Sequence, residues 1–384
     1  MAIKIKILKF LLNKLFPGPI SVELTAEKKY ESLLRILASV EFSDIPQLFQ
    51  HDRQKTLVGV FNKASVKLPF AGNKIDFRLL GCSDSENNQS DIAKSLIKKF
   101  DQQKSKSYTS LIGQSGCGKT RTLFDVASRH YLMFMECITK EHERLEDTTD
   151  TNFSNMVEDI RNYYDNFSNT VFLQRAEERI KIELLARLLY LRGLFEKDKK
   201  VSPLTYLLGQ IHGGRNVIGT LVLKLKGTSR ETLNNLLGTL YQDLKSNFLD
   251  GKPLIAGIDE ASVAANKILF GAWKSPHNNS RGLLTGINQV LVYTPRLEIS
   301  ILYAGTALSL FNAESIQSDI GKSGTLDIIT DFKPSIDGEP KDWLEEILDL
   351  EGCESVWTDP QVIIFLLFLF YFIKKYTEQK FILI

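Results

Sequence analysis

The residues best suited to chemistry lie in one short glycine-rich segment. It reads GQSGCGKT and fits the pattern G-x-x-x-x-G-K-[ST] at every position. Its members are Gly113, Gln114, Ser115, Gly116, Cys117, Gly118, Lys119 and Thr120. Glycines let consecutive backbone N–H groups curl around phosphate oxygens, the lysine can reach the β- and γ-phosphates, and the threonine hydroxyl can bind Mg²⁺. The segment therefore predicts a site for a nucleoside triphosphate with Mg²⁺.

The elements on either side of this segment must position it. A strand is predicted over Tyr108–Ile112 and a helix over Lys119–His130, so that phosphates would meet a helix N-terminus. A second apolar strand is predicted over Tyr131–Ile138. This order of strand, loop, helix and strand predicts an α/β domain with a parallel sheet.

Two carboxylates supply the partners that such a site needs. Asp259 and Glu260 directly follow an apolar strand predicted over Leu254–Ile258. Asp259 is the candidate ligand for Mg²⁺, and Glu260 the candidate general base that polarises the attacking water. The long stretch between the two motifs suits P-loop enzymes with an additional strand and a catalytic glutamate, rather than a minimal GTPase.

Two further side chains are weaker candidates. Thr306 follows an apolar strand predicted over Ile299–Ala304, and beside the phosphate loop it would bond the attacking water or the γ-phosphate. A simple strand-end turn explains Thr306 equally well. Arg281 lies in a polar loop and would stabilise the transferring phosphoryl group, in cis or across a subunit interface. A solvated loop is the simpler interpretation of Arg281, and Arg296 is a weaker candidate still.

Helical spacing dominates much of the remaining chain. Residues 140–250 are predicted mainly helical, and Val171–Phe195 carries an apolar stripe with charged residues opposite it. Thr228 and Glu231 have the spacing of a capping box for the next helix. Helical spacing also occurs over Glu27–Val40 and Asp91–Phe100.

These elements predict a three-layer α/β P-loop NTPase with a parallel sheet. An N-terminal extension containing helices would cover 1–105, and the P-loop domain 106–350, with a helical insertion over about 140–250. An apolar tail would cover 351–384. Its apolar run of twelve residues, Val362–Ile373, is shorter than the about 20 that a spanning helix needs, so a membrane partner is not expected. Translated non-coding sequence is an alternative interpretation of this tail.

A competing motif precedes the phosphate loop. Asn73-Lys74-Ile75-Asp76 matches the NKxD pattern of guanine recognition, in the order found in circularly permuted GTPases. The preceding Leu68–Gly72 makes a poor strand because it contains proline, and no convincing D-x-x-G follows. ATP is therefore favoured over GTP.

Composition limits the remaining function classes. The net charge of the 384 residues is only +2, which does not indicate a nucleic-acid partner. The four cysteines form no CxxC pair, and neither they nor the five histidines show the spacing of metal ligands. No signal peptide precedes residue 20, so the expected location is intracellular, in cytoplasm or nucleus, with secretion as an effector the alternative.

In its motifs the chain resembles the NTPase region of Crinkler-type proteins, described as effectors in oomycetes and abundant in some fungi. The resemblance covers about residues 107–350, with GQSGCGKT, LIAGIDEAS and LYAGTALSL in order. It implies an ATPase related to the AAA+/STAND branch. The family's ubiquitin-like header is not recognisable in residues 1–80, and the residues after 350 are too few for its nuclease-like domain. The motifs that carry the resemblance therefore do not by themselves imply secretion, host entry or nuclease activity.

The function predicted from sequence is ATP hydrolysis that depends on Mg²⁺ and drives a conformational change, with nucleotide and an unidentified protein as partners. A nucleotide-dependent switch or scaffold with little turnover, which would act as an effector, is the alternative. An inactive remnant fits less well because Lys119, Asp259 and Glu260 are all present. Homo-oligomerisation is left open by the sequence.

Overall fold

Five short segments of the chain form one parallel β-sheet. The computed structural model describes residues 90–102, 105–113, 118–138, 150–211, 215–275, 278–305 and 310–330, together with 31, 34–35, 70–71 and 74–75. The strands are β1 (Tyr108–Ile112), β2 (Leu132–Glu136), β3 (Ile255–Asp259), β4 (Ser300–Gly305) and β5 (Leu326–Ile329). The predicted positions of the first four are confirmed to within two residues, whereas β5 was not predicted.

The strand order is β2-β3-β4-β1-β5, with every neighbouring pair parallel. Strand β4 thus lies between β1 and β3, as the hypothesis about Thr306 required. Ile112 lies opposite Gly305, and Ile258 lies opposite Tyr303. Because the strands are parallel, the segments that follow β1, β3 and β4 leave the sheet at the same edge.

Ten described helices surround this sheet. They are α1 (Asp91–Gln102), α2 (Lys119–Ala127), α3 (Thr151–Asn166), α4 (Asn169–Lys197), α5 (Pro203–Ile211), α6 (Arg215–Leu225), α7 (Arg230–Asn247), α8 (Ala261–Asn266), α9 (Leu283–Tyr293) and α10 (Leu310–Ile320). Helices α3 to α7 lie between β2 and β3, which confirms a mainly helical stretch there. None of the helices in the described ranges combines the length and apolarity needed to cross a bilayer.

Apolar side chains pack on both faces of the sheet, since alternate residues of each strand point to opposite sides. On β2, Leu132 and Phe134 join a cluster with α1, α2 and α5. Met133 and Met135 join a larger cluster with the other helices. Helix α1, assigned from sequence to the N-terminal extension, contributes the buried Leu96 and Phe100 to the first cluster.

Helix α4 corrects the prediction that its charged residues lie opposite the core. It is enclosed by α3, α6, α7 and α9, so that its charged side as well as its apolar stripe is buried. Charges of α4 alternate in sign along this side, and carboxylates of neighbouring segments end the row. The members of this buried charge ladder are Asp150, Arg187, Glu183, Arg179 and, at its half-buried end, Asp159, joined by hydrogen bonds of 2.7 to 3.2 Å.

The outer edge of β2 is covered by side chains. The amide of Gln210 accepts a hydrogen bond from the Phe134 N–H at 3.0 Å and donates one to the Leu132 carbonyl at 2.8 Å. Arg187 donates to the Phe134 carbonyl, and Asp150 accepts from the Glu136 N–H at 3.4 Å. Backbone groups that would otherwise be open to another strand are therefore satisfied within the chain.

Two local predictions are changed by the structure. Helix α7 is capped by Ser229, whose hydroxyl accepts from the Thr232 N–H at 3.3 Å, so the predicted capping box at Thr228 is wrong by one residue. Thr228 is buried instead. Lys74–Ile75, within the NKxD match, pairs antiparallel with Phe70–Ala71 and does not belong to the parallel sheet. The predicted helix over Glu27–Val40 is confirmed at residues 31, 34 and 35; its other residues, and the tail over 351–384, lie outside the described ranges.

Removing the charge of Arg187 should destabilise the fold strongly. Arg187→Met would leave Asp150, Glu183 and the Phe134 carbonyl buried without the guanidinium, and breaking a buried ion pair costs about 3–5 kcal/mol. Urea unfolding measures this loss. Arg161→Met, which breaks an ion pair on the exposed side of α3, is the matched control and should cost about 0–1 kcal/mol. Equal stability losses in the two variants would contradict the ladder's importance.

The buried His130 should make stability depend on pH. Burial lowers the pKa of His130 below its usual value; Asp101 opposes this shift and Lys252 adds to it. As the pH falls, the imidazole is therefore protonated in the unfolded chain before it is protonated in the folded protein. The contribution of neutral His130 to the free energy of unfolding is complete above about pH 6.5 and is lost as the pH falls through the pKa of the folded state. Urea unfolding from about pH 8 to about pH 5 should show that loss in wild type and a smaller one in His130→Phe.

Asp101→Asn provides the opposite change. It removes the carboxylate that supports the protonated ring, 3.5 Å away, so the loss of stability below about pH 6.5 should become larger. An identical pH dependence in wild type and both variants would show that His130 does not titrate differently in the two states.

Candidate functional site

The carboxyl edge of the sheet brings together residues from both sequence motifs. The Thr120 hydroxyl donates a hydrogen bond of 2.8 Å to Oδ2 of Asp259, although 139 residues separate them in the chain. The other carboxylate oxygen of Asp259 accepts from the Glu260 N–H at 3.0 Å. Asp259 is only 4% exposed, so its carboxylate is held by these contacts in a largely dry position.

Lys119 lies at the start of α2, directly after a left-handed glycine. Gly118 has φ 92°, a backbone conformation that residues other than glycine rarely adopt. This conformation lets the chain turn from the loop into the helix. The Lys119 side chain is buried, and its ammonium donates to the Gly113 carbonyl at 2.8 Å. The ammonium is therefore folded back over the start of the glycine-rich segment, beside the positive end of α2.

Glu260 occupies a strained position between β3 and α8. Its φ of 48° and ψ of 38° lie in the left-handed region, which costs a non-glycine residue on the order of 1 kcal/mol or more. The residue forms the N-cap of α8 and is half-buried. Strain of this kind is common at active sites and ligand-binding segments.

The end of β4 packs directly against the start of α8. A Cβ at Gly305 would lie 3.2 Å from the backbone nitrogens of Ala261 and Ser262, so a larger residue would push the two elements apart. Residue 306 thus follows a strand end that contacts the helix beginning after Glu260. Thr306 itself, like Gln114, Ser115, Gly116 and Cys117, lies outside the described residues.

Arg281 lies in a hairpin rather than in an open loop. The strands Trp273–Lys274 and Ser280–Arg281 pair antiparallel, and the guanidinium forms an ion pair with Asp319 of α10. Asp319 also accepts from the Thr285 hydroxyl at 3.0 Å and from the Asn288 amide at 3.1 Å. Burial raises the pKa of Asp319, and Arg281 opposes that shift. A contact between Arg281 and a phosphate would require this ion pair to open.

Arg296, the weaker arginine candidate, lies against α7. It has a left-handed φ of 63°, and its carbonyl accepts a hydrogen bond of 3.3 Å from Gln242. A Cβ added at Gly238 of α7 would meet the Arg296 side chain at 3.4 Å. Arg296 therefore packs against helix α7 and forms a hydrogen bond with it.

Cys137, directly after β2, lies in a negatively charged environment at this edge. Its thiol is buried, and burial together with Asp259, Asp150, Glu136 and Glu260 raises its pKa well above the usual value. A thiol held in its neutral form does not act as a nucleophile. The Cys137 thiol is therefore not a candidate nucleophile at this edge.

The sequence analysis missed Glu136. It is the last residue of β2 and the register partner of Asp259, and it is only 9% exposed. Its signal was present, because it is the one charged residue in the apolar run Tyr131–Ile138. Pairing with Asp259 was not readable from sequence, since register follows from three-dimensional strand order.

The oxygen atoms at this edge suit a small, hard cation. A hydroxyl and a carboxylate oxygen 2.8 Å apart are ligands that Mg²⁺ prefers, whereas zinc favours nitrogen and sulfur. Within the described part of the chain, no group of three or more His, Cys, Asp and Glu side chains forms a metal cage. Mg²⁺ is usually held by one or two carboxylates together with substrate phosphates and water, which needs no cage.

Two comparisons with known proteins bear on the family of this chain. A scan against protein-family models found no match, and a search of curated proteins found none. The resemblance to Crinkler-type proteins therefore stays a prediction.

The hydrogen bond between Thr120 and Asp259 should contribute to stability by itself. Thr120→Ala would remove a donor from a buried carboxylate, and such a loss costs about 1–3 kcal/mol. Thr120→Ser keeps the hydroxyl and should retain most of that stability. Urea unfolding with EDTA present measures both variants without metal, and an equal loss in both would show that the methyl group matters instead.

Proposed function

We propose that this chain is a three-layer α/β P-loop NTPase that binds and hydrolyses ATP with Mg²⁺. The observation that carries the proposal is the hydrogen bond from Thr120 to Asp259 at the carboxyl edge of a parallel sheet. Ligands of open α/β sheets bind outside the carboxyl ends of the strands. There, the two side chains expected to hold Mg²⁺ already touch each other.

The triphosphate would be held by the glycine-rich segment and the start of α2. Its backbone N–H groups and the helix dipole favour anions, and Lys119 would exchange the Gly113 carbonyl for phosphate oxygens. Thr120 and Asp259 would hold Mg²⁺, which supplies positive charge to the phosphates. Burial of Lys119 and Asp259 supports the assignment, since interactions between charges strengthen when water is excluded.

Glu260 is the proposed general base. Its backbone N–H donates to Asp259, and it directly precedes the first residues of α8, whose backbone lies against the end of β4. In hydrolysis, a water oxygen forms a bond to the γ-phosphorus as the bond from that phosphorus to the bridging oxygen breaks. Glu260 would take the proton from the water, and Thr306 is proposed to orient that water.

The relation to AAA+/STAND proteins, and to the Crinkler type within them, belongs to the same proposal. It is supported by the placement of β4 between the strand before the glycine-rich segment and the strand before the acidic pair. The coupling of hydrolysis to a conformational change is proposed with it.

A nucleotide-dependent switch with little turnover is the second candidate. It is favoured by one observation, the ion pair between Arg281 and Asp319. An arginine held by a buried carboxylate does not stabilise the transferring phosphoryl group in that arrangement. Hydrolysis would then be slow unless α10 moves or another subunit supplies an arginine.

Phosphate release by wild type and Glu260→Gln separates these candidates. Loss of the general base should lower the rate of release by about 10²–10⁴-fold, with affinity for MgATP within about threefold of wild type. Glu231→Gln, on the exposed first turn of α7, is the control and should keep the wild-type rate. Turnover that survives in Glu260→Gln would refute the role of Glu260. Tight binding of ATP without turnover in wild type would favour the switch.

A further inference from the structure

Glu136 lies beside Asp259 at the edge where the proposed chemistry takes place. The two residues are register partners at the carboxyl ends of β2 and β3, where neighbouring strands lie about 4.8 Å apart. Residues paired in this way carry their side chains on the same face of the sheet. Along β2, Leu132 and Phe134 share the parity of Glu136 and pack in the cluster that contains α2. Glu136 therefore belongs to the face where Thr120 reaches Asp259.

Burial and a backbone hydrogen bond agree with this register. Glu136 and Asp259 are both at least nine-tenths buried. The N–H of Cys137, the residue after Glu136, donates to the Asp259 carbonyl at 3.0 Å, which holds the ends of β2 and β3 together. Two carboxylates directly opposite each other on paired strands repel one another, and a divalent cation beside them reverses that cost.

Asp150, the next carboxylate along this edge, has a different role. Both of its oxygens accept hydrogen bonds from Arg187, at 2.8 and 2.9 Å, and one also accepts from the Phe153 N–H at 3.0 Å. It caps α3 and neutralises a buried guanidinium, so it is committed to the fold. Glu136 is instead the carboxylate that the strand register places opposite Asp259.

We propose that Glu136 is a positioning residue for the Mg²⁺ of this site, a role that rests on the proposed function. Its carboxylate accepts a hydrogen bond from a water of the Mg²⁺ hydration shell, on the β2 side of Asp259. Mg²⁺ retains several of its waters in proteins, and the groups that bind those waters fix the geometry of the ion. In this proposal, Thr120 and Asp259 contact the Mg²⁺ ion directly, and Glu136 contacts it through water.

The test is a calorimetric titration of Mg²⁺ into the full chain saturated with ADP. Glu136→Gln keeps the shape of the side chain, and it should weaken Mg²⁺ binding by about 10–100-fold while leaving ADP affinity in EDTA within about twofold of wild type. Glu136→Asp, which keeps the charge on a shorter side chain, should show a smaller loss. Glu158→Gln removes an exposed carboxylate on α3 and should match wild type.

Thermal unfolding in EDTA gives a second readout. The unfolding temperature of Glu136→Gln should stay close to that of wild type, because the amide keeps the shape of the side chain, whereas a residue needed only for folding would give a clearly lower temperature. Mg²⁺ affinity equal to wild type in Glu136→Gln would overturn the inference, as would loss of ADP binding in EDTA.

Thr120→Ala distinguishes failure of this inference from failure of the proposed function. If Thr120→Ala weakens Mg²⁺ binding and Glu136→Gln does not, only the role of Glu136 falls. If wild type binds neither ADP nor Mg²⁺ with ADP, the proposed function falls and the role of Glu136 falls with it.

Discussion

The buried guanidinium of Arg187 holds several elements of this structure together. Arg187 lies in the middle of α4 with its side chain 1% exposed, so each of its N–H groups needs an acceptor inside the protein. Burial alone would lower its pKa, but Asp150 and Glu183 raise it above the usual value, and the group stays charged. Its acceptors come from α4 itself, from β2 and from the cap of α3, so these elements have one compatible arrangement.

That arrangement extends from the edge of the sheet to the candidate site. Arg187 bonds the Phe134 carbonyl, and through Asp150 it also fixes the N–H of Glu136, two residues further along β2. An edge strand held by side chains cannot slip in register without breaking these contacts. The register of β2 against β3 is what places Glu136 opposite Asp259. The buried charge ladder lies outside the carboxyl edge of the sheet, but it thus holds the strand register on which that edge depends.

The sequence predicted what depends on short apolar runs and on motif chemistry. Each of the strands β1 to β4 reads as a buried run, because a strand covered on both faces is apolar at nearly every position. The contact between Thr120 and Asp259 agrees with the prediction that both side chains would bind one Mg²⁺. Strand β5 was missed since Asp327 interrupts its apolar residues; its side chain forms an ion pair with Lys99 of α1.

Other features depend on partners that the sequence does not name. A helix with one apolar stripe predicts one buried side, but α4 is enclosed by other helices, and its charges find opposite charges there. Helix α7 is capped by Ser229 and not by the predicted Thr228. A hydroxyl caps a helix only where the backbone is extended and the oxygen faces the helix, as at Ser229 with ψ 153°. The ion pair of Arg281 required Asp319, 38 residues away, to be brought to the same place.

Strand β4 connects the candidate site with that ion pair. At its carboxyl end, Gly305 contacts the start of α8, next to Glu260. Two residues earlier, the buried Tyr303 hydroxyl donates to Asn288 at 2.9 Å, and Asn288 in turn donates to Asp319, the partner of Arg281. Burial makes each of these bonds costly to break. Strand β4 therefore links the segment that contains Glu260 to the carboxylate that holds Arg281, and the release of Arg281 requires its ion pair with Asp319 to open.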